Sequence, residues 1–188
     1  MENELKINAI IAIDPGAAGG IAVYIPSNPG PSRVKVIKMP KDLAALRDFF
    51  AYYAENYCPL VFIEKLSVRP DDIKVDGDKA AMGKLYRVQK MMANFEHLKA
   101  LVETAEIPYI MTHPMKWMTS LKLRIPGEEK AARKRRFVKV AQSIYKEQKV
   151  TLWNADALLI MHFGRYVLAN ELSWVKANLP QREIPKLF

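Results

Sequence analysis

A single cysteine, Cys58, in 188 residues excludes an internal disulfide and cannot by itself make a thiolate metal site. It reads as a small buried hydrophobe. No apolar run approaches the ~18 residues that a membrane-spanning helix needs, and Met1–Lys6 is too polar for a signal peptide. The three histidines, His97, His113 and His162, have no metal-ligand spacing. Internal repeats, low-complexity tracts and linkers are also missing. What remains is a soluble cytoplasmic chain of one-domain length, expected to fold over residues 1–170 and to end in a tail over 171–188.

Charge is what the chain has in excess. The formal net charge is +9, and its placement is uneven. Between Lys116 and Lys149 there are eleven Lys or Arg against three Glu, a local balance of +8. Such a footprint suits nucleic acid, because neutralised phosphates release counterions. A solvated helix face is the plainer alternative. An anionic membrane fits less well, since the segment lacks an exposed apolar face.

Asn8 to Asp14 is an almost wholly apolar run, the pattern of a strand covered on both faces. Gly16, Gly19 and Gly20 break it, and Gly20 to Ile25 predicts a second strand. Pro26 to Pro31 is a turn cluster, and Val34 to Met39 alternates like a half-exposed third strand. These three form an antiparallel meander. Asp42 is a plausible N-cap for a helix with Leu43, Leu46, Phe50 and Tyr53 on one face. Leu60 to Glu64 predicts a short buried strand, and Arg69 to Gly77 a polar loop. A long helix carries the stripe Met82, Leu85, Val88, Met92, Phe95, Leu98 and Val102. Tyr109 to Thr112 is the fifth strand, followed by a basic helix from Glu128 to about Lys149 and an apolar one from Ala155 to Leu168. The order implies an α/β domain whose fourth and fifth strands pair in parallel beside the first.

Three carboxylates stand where apolar structure stops: Asp14 after strand 1, Glu64 at the end of strand 4, and Asp156 in the first turn of the last long helix. Alone, each has a plainer reading. Asp14 would cap the glycine turn, Glu64 would lie on the surface past its strand, and Asp156 would be a first-turn acid favoured by the helix dipole. Together they point to chemistry. With strands 1 and 4 as parallel neighbours, Asp14 and Glu64 emerge at one edge of the sheet, where a crossing helix brings Asp156. Three such acids in a partly dry cleft call for a hard cation, Mg²⁺ or Mn²⁺, to neutralise them. Paired ions of this kind activate water against a phosphodiester.

Ile13-Asp14-Pro15-Gly16 with Gly19-Gly20, Phe62-Ile63-Glu64, and Asn154-Ala155-Asp156-Ala157-Leu158-Leu159 resemble the three catalytic blocks of RuvC-type Holliday junction resolvases. Pro114, Lys116-Trp117, Leu121, Lys130, Arg133 and Lys134 resemble the family's fourth block. The similarity runs in order from about Ile10 to Leu168. The short chain and the Lys-Trp pair are closer to phage-type members. The resemblance implies a five-stranded, mixed-sheet, ribonuclease H-like fold with Asp14, Glu64 and Asp156 as catalytic metal ligands. It also implies a homodimer that binds four-way junctions and makes paired nicks with Mg²⁺ or Mn²⁺. Two departures stand out. Trp153 occupies the place, three residues before Asp156, where the family has an acid or a His, which leaves Asn154 as a weak neutral ligand or an N-cap. The loop from Lys65 to Pro70 has no aromatic.

The basic helix has its own geometry. Phe137, Ala141 and Ile144 predict its core stripe, and stepping back from Phe137 by three, four and seven residues reaches Lys134, Arg133 and Lys130. These three, with Lys116, are the candidate phosphate contacts, whereas Arg135, Arg136 and Lys139 point elsewhere into solvent. Trp117 is either a buried core residue or a base-stacking one. The broad stripe on the long helix, Leu85, Met92 and Phe95 above all, suggests a dimer contact. The expected function is a metal-dependent endonuclease for four-way or other branched DNA, nucleoid-associated, in a host or a virus. Two rivals remain: a non-catalytic DNA-binding module of the same fold, and an actin-like nucleotide-binding domain sharing the Asp-x-Gly turn.

Overall fold

The computed structural model describes residues 6–16, 18–27, 29–66, 68 and 79–180. The strands are β1 (Ala9–Ile13), β2 (Gly20–Ile25), β3 (Arg33–Lys38), β4 (Pro59–Glu64) and β5 (Tyr109–Thr112). The helices are α1 (Leu43–Asn56), α2 (Lys79–Thr104), α3 (Pro114–Ser120), α4 (Lys130–Ile144), α5 (Ala155–Asn170) and α6 (Leu172–Asn178). The sheet order is β3-β2-β1-β4-β5, antiparallel across the first three strands and parallel from β1 through β4 to β5. This is the predicted mixed five-stranded sheet. The polar loop expected over Arg69 to Gly77 lies outside the described residues.

The uniform apolarity of β1 has a direct cause. Side chains alternate across a strand, and both faces are covered. Ile10 and Ala12 enter a core with Ala22, Leu60, Phe62, Ile110 and the buried face of α5. Ile11 and Ile13 enter a second core with Ile21, Val23, Val61, Ile63 and residues of α1 and α2. Gly164 lets α5 lie close on the sheet, since a Cβ there would come 2.8 Å from the Phe62 ring and 3.2 Å from Ile10.

Several expectations need correcting. Cys58 is exposed rather than buried, because it sits in the connection from α1 to β4, where its backbone N–H donates to the Asn8 side chain and its carbonyl accepts from Asn8 N–H. Phe95 is core, only 3% exposed, and so belongs to no free stripe. Ile144 is exposed at the end of the basic helix. That helix stops at Ile144 because Gln142 turns its amide onto the following loop, accepting from Val150 N–H and donating to the Gln148 carbonyl. The expected tail begins as a helix: α6 packs against α5, with Val175 fully buried and Trp174 edge-on to Phe163. No helix of the described residues is long and apolar enough to cross a membrane.

Candidate active site and nucleic-acid interface

Parallel pairing sets the site. Ile13 lies opposite Ile63 with both facing the α1–α2 core. One step on in that register, Asp14 and Glu64 lie side by side and, by alternation, face α5. There the first turn of α5 presents Asp156, 6% exposed. The three acids predicted from sequence therefore share one cleft.

The turn after β1 holds Asp14. Its carboxylate Oδ1 accepts from Gly16 N–H at 3.1 Å, while its own N–H donates to the Gly20 carbonyl at 3.0 Å. Gly19 is required by close approach, since a Cβ would lie 2.2 Å from the Asp14 carbonyl oxygen. Glu64 is held from the core side. The Trp117 indole N–H donates to Glu64 Oε1 at 2.9 Å. Trp117 is thus both the buried residue that its size predicts, 1% exposed, and part of the site. A buried indole needs an acceptor, which was the available signal; the acceptor's identity depends on topology.

One cation lies among the acids. Lys134 Nζ donates to Asp156 Oδ2, and its charge acts on Asp14 and Glu64 as well. Burial, then repulsion from Asp14, pushes Glu64 up to about 7, with the Trp117 bond and Lys134 opposing. Asp14 is also raised, by burial first and Asp156 second, against the Gly16 N–H and Lys134. For Lys134 the cost of burial is outweighed by Asp156, Asp14 and Glu64, so its ammonium is held above the ordinary lysine range.

Among the described residues no group of three His, Cys, Asp or Glu forms a ready-made metal cage. The ammonium of Lys134 supplies the counter-charge. The donor set nonetheless suits a hard divalent ion. It offers carboxylate oxygens from three acids, two of which burial makes reluctant to ionise, and among the described residues the buried Asp156 Oδ1 has no hydrogen-bond partner.

Asn154 is buried at the N-cap position, but its side chain neither caps the helix nor reaches the cleft. Oδ1 accepts from Thr151 N–H at 2.7 Å and Nδ2 donates to the Lys149 carbonyl at 3.0 Å. Lys116 Nζ is paired with Glu171 Oε2 at 2.8 Å and lies 4.9 Å from the Trp174 ring centre. Lys130 is exposed and Arg133 half-buried, with no ion pair to either among the described residues. Arg136 is no solvated cation. Its guanidinium grips both Glu128 oxygens, at 2.7 and 2.6 Å, and the Leu123 carbonyl at 2.7 Å, tying α4 to the preceding loop.

Sheet order, mixed pairing and flanking helices define the ribonuclease H-like α/β fold. The structure of Thermus thermophilus RuvC matches it at a TM-score of 0.51 with 13% sequence identity, over 91% of this chain and 98% of that one. A structure of T. thermophilus RuvC in complex with a Holliday junction substrate gives 0.49 and 14%, over 86% and 95%. No family model matches the sequence, and no curated protein does.

Proposed function

We propose that this chain is a metal-dependent endonuclease that cuts branched DNA, with four-way junctions resolved by paired phosphodiester hydrolysis. The observation that carries the reading is the meeting of Asp14, Glu64 and Asp156 in one cleft on a RuvC-like fold. These acids would hold Mg²⁺ or Mn²⁺, which supplies an activated water and a counter-charge for the leaving oxygen. Trp117 orients Glu64, Gly16 orients Asp14, and the cationic end of α4 receives phosphates. Kinship to the phage-type resolvases would rest on the Lys116-Trp117 pair alone.

Labelled four-way, forked and linear DNA incubated with the protein should show cutting of the branched substrates only, dependent on Mg²⁺ or Mn²⁺ and lost in EDTA. Intact DNA in every lane would overturn the proposal. The ammonium among the acids, with Trp153 where the family has another ligand, favours a second reading: a DNA-binding protein without catalysis. Junction binding with no cutting in either metal would select it.

Phosphate contact is assigned chiefly to Lys130 and Arg133. Replacing either with Ala should weaken duplex binding and lower the log–log salt slope by ~0.9 for each phosphate that the protein ceases to neutralise. Arg136→Ala should instead lower the melting temperature with little change in slope, because its partners are internal. An equal drop in slope for Arg133→Ala and Arg136→Ala would show that the helix acts as a diffuse charge.

A four-way junction is two-fold symmetric, so paired cuts call for two equivalent sites and hence a homodimer. With Phe95 in the core and Met92 packed against it, the free part of the α2 stripe lies further toward the N-terminus. Its member Met82 is 58% exposed, and Tyr86, one turn on and outside the stripe read from sequence, is 65% exposed. Tyr86→Glu should sediment as a monomer, keep its circular dichroism and lose paired incision. A variant that remains dimeric would place the interface elsewhere.

A further inference from the structure

Beside the carboxylate cleft lies a shallow depression of about 620 Å³, lined by Val138, Thr151, Leu152 and Trp153 with Arg135 and Lys139. Its floor is apolar. Leu152 is 60% exposed and Trp153 half-buried, an unusual display for large hydrophobes in a polar loop. The loop is not loose. Val150 N–H donates to Gln142, Thr151 N–H to Asn154, and Asn154 donates to the Lys149 carbonyl, so the two side chains are presented on a pinned backbone.

The rim is cationic. Arg135 and Lys139 stand on α4, and Lys38 Nζ on β3 lies 5.8 Å from the Trp153 ring centre. Among the described residues none of the three enters an ion pair. The patch also adjoins the acids. The Trp153 ring covers Gly20, where a Cβ would come 3.0 Å from ring atoms, and the Gly20 carbonyl takes the Asp14 N–H.

We infer that the surface of Leu152 and Trp153, rimmed by Lys38, Arg135 and Lys139, is a subsite for an unpaired nucleotide next to the cleft. The inference rests on the nuclease reading for its place in the reaction. A base has an apolar face that stacks on an aromatic ring, and its phosphates need cations on either side. Bases inside a duplex have no free face to offer, whereas a branch point or a single strand does. Arg135 and Lys139, which sequence spacing assigned to solvent, become backbone contacts of this strand rather than of the duplex arms.

The test is a titration in EDTA, where nothing is cut, of a short oligothymidylate and of a duplex of equal length. Trp153→Leu should lose about tenfold or more in affinity for the oligothymidylate, the usual effect of removing one stacked base. Its duplex affinity should hold, and Trp153→Phe should restore most of the loss. The Arg135→Gln, Lys139→Gln double variant should lower the salt slope for the single strand. Equal oligothymidylate affinity in wild type and Trp153→Leu overturns the inference. Because the ring also fills the space over Gly20, Trp153→Leu is checked by thermal melting. If it does not fold, the double variant decides, and unchanged single-strand affinity there overturns the inference. Failure of wild type to cut branched DNA with Mg²⁺ or Mn²⁺ would remove the nuclease reading instead, and the titration would still decide the subsite.

Discussion

Asp14→Asn, Glu64→Gln and Asp156→Asn are each expected to lower metal-dependent cleavage of branched DNA by about 10³-fold or more while leaving DNA binding intact. The size follows from the role. A metal-held activated water is worth several kcal/mol in the transition state, and each 1.36 kcal/mol is tenfold. Each amide keeps the shape of its acid and removes a negative charge near phosphate, so binding should hold or tighten. Single-turnover cleavage with excess enzyme is the measurement. Near-wild-type cutting by any one variant would remove that residue from the ligand set.

Glu64→Gln has a second expected effect that separates it from the others. Glu64 is raised from 4.5 to about 7 in the folded protein. Between those values the folded state binds more protons than the unfolded one, so metal-free stability falls as pH rises through that window. Below about pH 4.5 the penalty is absent, and above about 7 it is complete. Gln carries no such penalty and still offers Oε1 to Trp117. In EDTA the variant should come within about 1 kcal/mol of wild type near pH 5 and exceed it at pH 8 by about 1–3 kcal/mol, the whole shift without screening being ~3.4 kcal/mol. Denaturant melts at the two pH values measure this. A wild-type stability that rises between them by as much would contradict the buried, charged Glu64.

Gly19→Ala is the other change with a large expected effect, and it replaces no catalytic group. The new methyl would meet the Asp14 carbonyl oxygen at 2.2 Å and its Cγ at 2.8 Å. Both lie within the tight turn, where Gly19 N–H donates to the Gly16 carbonyl at 2.8 Å and the Gly19 carbonyl accepts from Met39 N–H at 3.1 Å. The turn has to open, which displaces Asp14. Overpacking of this kind costs about 1–3 kcal/mol, and a shift of about 1 Å in a reacting group costs about 10² in rate. Gly83→Ala is the control, since among the described residues nothing lies within 4 Å of its Cβ position. Gly19→Ala with wild-type melting temperature and cutting rate would contradict this turn geometry.

The strands were legible because burial on both faces forces β1 to be apolar throughout, and glycine and proline punctuate its ends. The acids were legible for the same reason, as charges where an apolar run stops. The helices α3 and α6 were not foreseen. Seven residues make about two turns, too few to show a periodic face, and they are held by few anchors, Trp117 and Met118 in α3 and Val175 in α6, buried through tertiary contact. Partners distant in sequence were equally hidden. Lys134 was placed on the correct face, but its bond to Asp156, 22 residues away, depends on how α4 crosses α5. The Asn154 amide was read as a weak ligand or an N-cap and the Arg136 guanidinium as solvated, and each is taken up by backbone or carboxylate that no spacing rule locates.

The bond between Lys134 and Asp156 makes the cleft and the basic face two ends of one balance. Under the proposed function, a cation that took Asp156 from Lys134 would return an ammonium, still tethered to α4, to the helix end proposed to meet phosphate. Phosphate held there would draw the same ammonium off the carboxylate and open it to the cation. The two ligands would then favour each other by equal factors, since a coupling free energy is reciprocal.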